Sequence, residues 1–356
     1  MSQGIVPPYL LRHLSRLDRD DLRTATEAAH RALVATPPAR TTRPTAVPSA
    51  SADPVEPTAP DRTVSDADGL EILPGDVVRR EGQQPTGDPA TDEAYDGLGA
   101  TYTLFGEVFG RASIDGAGMP LLATVHYGRE YDNAFWDGHQ MVFGDGDGQV
   151  FNRFTASLSV IGHELSHGVT QYAAELVYEG QSGALNESIS DVFGALVEQH
   201  SRGQSAAEAS WLIGEGLFTD EVEGNALRSM KAPGTAYDDD VLGKDPQPAT
   251  MADYVDTTDD NGGVHLNSGI PNHAFYLVAT ALGGNAWDQA GLIWYDTISG
   301  DLSPAATFEE FAAATASAAV ARFGADSPEH RAVVDAWSTV GVPISDTGSD
   351  SAGTAR

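Results

Sequence analysis

The sequence predicts an α+β fold of two lobes, a β-rich N-terminal lobe followed by a mostly helical one, on three observations. Residues 68–155 are rich in glycine and carry short apolar runs such as LLATVHY and QMVFG, the pattern of strands and turns. From Leu158 onward, alanine-rich segments with helical apolar spacing recur. At 356 residues with no cysteine, the chain can bury a large core without disulfide staples.

The first 43 residues hold seven arginines against four acids, while the whole chain has a formal net charge of −32, so a basic head can dock on an acidic body. Leu10 to Val34 has no internal Pro or Gly and reads as one helix. From Thr36 to about Ala67 the composition turns to Pro, Ala, Thr, Ser and Asp, which cannot bury enough apolar surface to fold. Residues 51–67 are therefore expected to be a disordered linker and an accessible place for processing. The N-terminal lobe, 68–175, carries a helix near Glu93 to Phe109 and ends in a helix over 158–175. The C-terminal lobe, 176–345, holds helices over 185–200, 271–282, 285–298, 307–323 and 327–340, and the polar residues 346–356 form a disordered tail.

The acidity excludes nucleic acid as a partner, because phosphate binding needs a basic surface. No run of 18 apolar residues exists, so no helix spans a membrane. The start MSQGIVPPYLLRHLSRL lacks the pattern of a classical export signal, since its apolar stretch is short and its arginines follow rather than precede it.

The stretch HELSHGVTQY, 163–172, carries the chemistry. On a helix, His163 and His167 lie one turn apart on one face and can present imidazole nitrogens to one ion, with Glu164 beside them to take a proton. Without cysteine, a third ligand must come from His, Asp, Glu or a carbonyl oxygen. Downstream, ALNESISDVFGALVE offers Glu187 and, one turn on, Asp191, spaced like a ligand carboxylate and one that orients a histidine. Taken alone, NESISD better suits an ordinary helix start; beside HELSH the preference reverses.

Together with DNAFWDG at 132–138, ALRSM at 226–230 and DDNGGVHLNSGIPNHAFY at 259–276, these stretches resemble the thermolysin family of zinc metallopeptidases, in family order over roughly residues 68–341. The resemblance implies the two-lobe thermolysin-like fold, with the zinc-binding helix joining the lobes and a zinc cleft between them. It implies one catalytic zinc on His163, His167 and Glu187, with Glu164 as general base and Asp191 and Asn186 behind the ligands. Tyr178 and His265 match the donors to a tetrahedral oxyanion, and Asp260 the partner of His265. Arg228 matches the residue that holds a substrate carbonyl, and Asn133 and Ala134 the strand-edge positions that pair with substrate backbone. Phe151, Val160 and Leu227 match the pocket for a bulky apolar residue after the cut, with Phe154 larger than is familiar there. The other common zincin pattern is absent, since Thr170 and Ala173 stand where its glycine and third histidine would be. A non-catalytic zinc module would be expected to lose Glu164, Tyr178 or His265, and an aminopeptidase would need a group to capture a free N-terminus.

Asp191, Glu198 and Glu215 match calcium positions, but Ser159 replaces an expected aspartate and Gly216 another acid, so at most one weak calcium is expected. The run GDGDG at 144–148 reads as a turn rather than a calcium loop. IVPPYLLRHL, 5–14, resembles the short prosegment of the protealysin-like subgroup. Residues 1–50 are then an inhibitory prosegment, with Pro7, Pro8, Tyr9 and Leu10 in or beside the cleft and extended prolines that resist cutting. The expected partners are peptide or protein substrates and the chain's own prosegment, and the expected state is a monomer. The family is mostly secreted, while the lack of a classical signal leaves an intracellular pool or non-classical export open.

Overall fold

The structure, a computed structural model, describes residues 4–34 and 59–344. Two helices open the chain, α1 (Pro8–Leu14) and α2 (Arg23–Val34), packed against one another. This corrects the single helix expected over Leu10–Val34. The chain turns at 15–19, with Arg19 extended at φ −137°, and a short 3-10 turn over Asp20–Leu22 leads into α2. A straight helix presents one stripe to its support, whereas the turn lets Leu10, Leu11 and Leu14 of α1 and Ala25, Ala28, Ala29 and Ala32 of α2 all be buried. Pro8 stands at the first position of α1, where its missing N–H is no loss.

The sheet of the N-terminal lobe contains β1 (Arg62–Asp66), β2 (Asp76–Arg80), β3 (Leu121–Val125), β4 (Ala134–Trp136) and β5 (Met141–Phe143), in the order β2-β1-β3-β5-β4. The β1·β2 and β4·β5 pairs are antiparallel and the β1·β3 and β3·β5 pairs parallel. β1 falls inside the stretch assigned to the linker, so the folded body begins earlier than residue 68. Its short sequence RTVSD buries Val64 completely and pairs on both sides, a tertiary gain that composition alone does not reveal. Residues 35–58, the rest of that linker with the end of the expected prosegment, lie outside the described residues, as does the expected tail at 346–356.

Between β2 and β3, α3 (Pro89–Phe109) crosses the sheet. Asp88 caps it by accepting from Thr91 N–H, Pro89 opens it, and Gly110 closes it at φ 64°. Next come α4 (Leu158–Tyr172) and α5 (Gly180–Arg202), then α6 (Asp260–Asn267), α7 (Gly269–Leu282), α8 (Ala290–Ser299), α9 (Phe308–Phe323) and α10 (Pro328–Thr339). The helical lobe is anchored by stacked Trp294 and Trp337, with Phe275 and Phe311 edge-on to them. No described helix is long and apolar enough to cross a membrane.

α4 lies between the lobes, on β4 at one side and along α5 at the other. Gly162 and Gly194 permit the close approach of α4 and α5: a Cβ on Gly194 would fall 2.5 Å from Ser159 O. The edge strand β4 is left with one side unpaired by the sheet.

Candidate metal centre and peptide cleft

α4 presents His163 and His167, and α5 presents Glu187; all three are buried, and their ligand atoms lie within 4.8 Å of one another. His163 Nδ1 meets Asp191 Oδ1 at 2.7 Å, while His167 Nδ1 meets Asn186 Oδ1 at 2.7 Å and Ser190 Oγ at 3.0 Å. An acceptor at Nδ1 fixes the tautomer that leaves the Nε2 lone pair toward the centre. There His163 Nε2 stands 3.5 Å from Glu187 Oε2 and His167 Nε2 3.4 Å from Glu187 Oε1. His163 Nε2 and Glu187 Oε2 make no hydrogen bond, although both are fully buried. Two imidazoles with oriented lone pairs and a carboxylate fit a zinc ion with one position to spare. Burial raises the Glu187 pKa, but His265, His167, His163 and Arg228 outweigh it and bring it down to about 2, so this carboxylate is ionised.

Glu164, fully buried, accepts from Trp136 N–H at 3.0 Å through Oε2, which holds it against the end of β4. Tyr178 donates to Glu187 Oε1 and lies 3.4 Å from His265 Nε2. Asp260 accepts from both His265 Nδ1, at 2.7 Å, and His265 N–H, at 2.9 Å. The loop that allows this holds four consecutive residues at positive φ, Asp260, Asn261, Gly262 and Gly263, strain consistent with a functional turn. Burial lowers the His265 pKa, but Asp260 and Glu187 more than offset it and raise it to about 9, favouring the donor form.

Arg228 sits beneath the centre, with Nε and Nη2 each 2.8 Å from the Asp191 carboxylate. Asp191 also accepts from Asn272 Nδ2 at 2.8 Å. Both its oxygens are thus engaged by His163, Arg228 and Asn272. Glu198 pairs with Arg202 at 2.7 Å, and Glu215 accepts from Ser210 at 3.1 Å. Among the described residues, the group of three or more side chains placed to hold a metal is His163, His167 and Glu187. In the GDGDG run, Asp147 caps the N–H groups of Gln149 and Val150, and Asp145 contacts His126.

The N-terminal segment lies against the edge of β4 and Arg228. Ile5 N–H donates to Ala134 O at 3.1 Å, Val6 N–H to Asn133 Oδ1 at 3.0 Å, and Arg228 Nη1 to Ile5 O at 3.1 Å. These hydrogen bonds come from Ile5 and Val6 rather than from the prolines, which have no N–H to give. Leu10 is buried beside Leu11 and Leu14, and burial with the neighbouring Tyr237 and Asp245 pushes the Tyr9 phenol well up. Phe151, Val160 and Leu227 are buried in one core with Ile5 and Val6, and Phe151 packs on Phe154 and Phe218 with ring centroids 5.7 and 5.5 Å away.

Sequence reasoning missed Trp136, Ser190 and Asn272, and the contact-making Ile5 and Val6. Trp136 and Ser190 act through a backbone N–H and a short hydroxyl, which leave no pattern. The signal for Ile5 and Val6 was available: a β-branched pair beside an unpaired strand edge.

The description "Thermolysin metallopeptidase, catalytic domain" matches residues 75–171, and "Thermolysin metallopeptidase, alpha-helical domain" matches residues 174–342. An extracellular metalloprotease of Pectobacterium carotovorum subsp. carotovorum is 56% identical over 284 residues, 80% of this chain and 81% of that one. Thermolysin of Alicyclobacillus acidocaldarius subsp. acidocaldarius is 40% identical over 280 residues, 76% of this chain and 49% of its own. The solved precursor of protealysin, a metalloproteinase from Serratia proteamaculans, superposes with a TM-score of 0.87 at 50% identity, over 96% of this chain and all of that one. Fold, buried metal group and likeness agree, and the chain belongs to the thermolysin family of metallopeptidases, in its protealysin-like branch.

Proposed function

We propose that this zinc endopeptidase is made as a zymogen in which His163, His167 and Glu187 hold the metal and Glu164 is the general base. The observation that carries the reading is the buried trio, with Nδ1 of each histidine tied down and His163 Nε2 left facing Glu187. When bound, zinc supplies Lewis acidity, polarising a carbonyl and acidifying water. Glu164, held by Trp136 N–H, takes the proton of the attacking water and returns it to the departing amide nitrogen. Tyr178 and His265 donate to the developing oxyanion, each worth about 3 kcal/mol of barrier. Asp260 keeps His265 protonated and aimed. Arg228 and the β4 edge at Asn133 and Ala134 align the substrate backbone, and Phe151, Val160 and Leu227 receive a bulky apolar residue after the cut. Calcium has no assigned role.

Residues 1 to about 50 are the inhibitory segment, and the bonds from Ile5 and Val6 into the cleft support that role. Since β1 starts at Arg62, the releasing cut lies ahead of it. The relative named as extracellular supports action outside the cell. Cleavage of an internally quenched peptide with Leu after the cut, by the processed enzyme with and without a zinc chelator, tests the reading. Activity that survives complete zinc removal would overturn it.

A further inference from the structure

The N-terminal segment is held by the groups assigned above to a substrate backbone, since Ile5 N–H donates to Ala134 O, Val6 N–H to Asn133 Oδ1, and Arg228 Nη1 to Ile5 O. Ile5 pairs with Ala134, and Val6 bonds to the side chain of Asn133, one residue earlier on β4. The order of these contacts is that of a segment running antiparallel to β4, with Gly4 still against Asn133 and Ala134. Trp136 N–H holds Glu164, and a strand rises only about 7 Å over the two residues from Ala134 to Trp136. On the other side, the guanidinium that holds Ile5 O is separated from His163 by a single carboxylate, Asp191.

The side chains suit this placement. Ile5 is bulky, apolar and fully buried. Gly4 lies so close to β4 that a Cβ there would overlap Asn133 Oδ1 and Ala134 O. The next bonds, Val6–Pro7 and Pro7–Pro8, are tertiary amides with no N–H to pair with the strand edge.

We propose that Gly4–Ile5 is a self-cleavage site, a reading that rests on Glu164 as the general base. Water adds across the bond: hydroxyl joins the Gly4 carbonyl carbon, the C–N bond breaks, and the proton goes to the Ile5 nitrogen. Residues 1–4 leave with a new carboxylate, and Ile5 becomes the amino terminus. The bonds from Arg228 to Ile5 O and from Val6 N–H to Asn133 stay intact, as does the docking of α1 and α2. The trimmed segment thus remains in the cleft as a bound product, and this cut is separate from the one that frees the segment.

The full-length precursor and its Glu164→Gln and Ile5→Glu variants are each incubated with equimolar zinc and followed by intact mass and N-terminal sequencing. A parallel assay reads cleavage of an external quenched peptide after release of the segment. The wild type is expected to lose residues 1–4 at a rate independent of protein concentration, exposing Ile5. Glu164→Gln slows that loss at least ~100-fold. Ile5→Glu keeps residues 1–4, yet its released body cuts the external peptide at the wild-type rate, since Ile5 is no part of that body. The proposal is overturned if wild type cuts the external peptide while its precursor still begins at Met1 or Ser2, or if Glu164→Gln is trimmed at the same rate. If the zinc-loaded, released wild type fails on the external peptide, the reading it rests on falls, and self-cleavage with it.

Discussion

Arg228 and Asp191 form a buried bidentate pair, two nitrogen–oxygen contacts of 2.8 Å between side chains 1% and 0% exposed. The same carboxylate accepts from His163 Nδ1, and the same guanidinium donates to Ile5 O, so the proposed metal ligand and the peptide backbone share one ion pair. Burial works against the Asp191 anion, but Arg228 and His163 outweigh it and hold its pKa well below the usual carboxylate range. Arg228→Ala strips a buried anion of its main counter-charge and is expected to destabilise the fold by about 3–5 kcal/mol. Arg228→Lys restores the charge but not the two parallel bonds, so it recovers only part of that loss. Urea unfolding of the three proteins reads the difference, and an Arg228→Ala protein as stable as wild type would sink the argument.

Glu164 accepts from the backbone N–H of Trp136 and makes no part of the ligand trio. Glu164→Gln keeps the shape and the bond from Trp136 while removing the proposed base. The kcat is expected to fall about 10²–10⁴-fold, with zinc content unchanged. Metal analysis beside peptide kinetics separates this from loss of metal: a variant that is inactive because it is zinc-free would leave the base unassigned.

The helix pattern was legible because it depends on spacing. Glu187, Asp191 and the two histidines could be placed together from i, i+4 geometry and order along the chain, and the structure joins them across α4 and α5. What the sequence hid depends on tertiary partners. Val64 makes β1 a strand only because β2 and β3 flank it. Leu10–Val34 has nothing in its composition to break a helix, yet it turns at 15–19 so that two faces can be buried instead of one. Asp191 was offered both to a histidine and to calcium, and its contacts with Arg228 and Asn272, far away in sequence, could not be read from spacing.

His126 joins two loops of the N-terminal lobe, with Nδ1 2.9 Å from Asp145 and Nε2 3.2 Å from Asp88, the residue that caps α3. The hydrogen bond to Asp145 raises its pKa from 6.5 to about 9 against the opposing effect of burial, with Asp88 adding to the rise. A pKa raised on folding stabilises the native state fully below about 6.5, and that contribution is lost as pH rises through about 9. The difference in unfolding free energy between wild type and His126→Gln is therefore expected to be largest near pH 6 and to shrink steadily toward pH 9. Urea unfolding across that range checks it; a difference that stays flat would show that the imidazolium is not what joins the loops.

Gly194 on α5 faces the backbone of α4 at the turn that carries His163. A Cβ there would stand 2.5 Å from Ser159 O, 2.9 Å from His163 N and 3.2 Å from His163 Cα. These are backbone atoms of a packed helix and cannot swing aside as a side-chain tip would, so Gly194→Ala must push α4 and α5 apart. Overpacking of this kind costs about 1–3 kcal/mol. Because His163 and His167 ride on α4 while Glu187 rides on α5, the same displacement widens the ligand trio. The variant is expected to lose zinc affinity about 10-fold or more, the scale at which disturbed support around metal ligands is felt. Competition with a chromogenic chelator measures that loss, and thermal unfolding with and without zinc shows how much stabilisation by the metal has gone. Wild-type zinc affinity in a destabilised Gly194→Ala protein would mean that the helices part without moving the ligands, and the close approach would then serve packing alone.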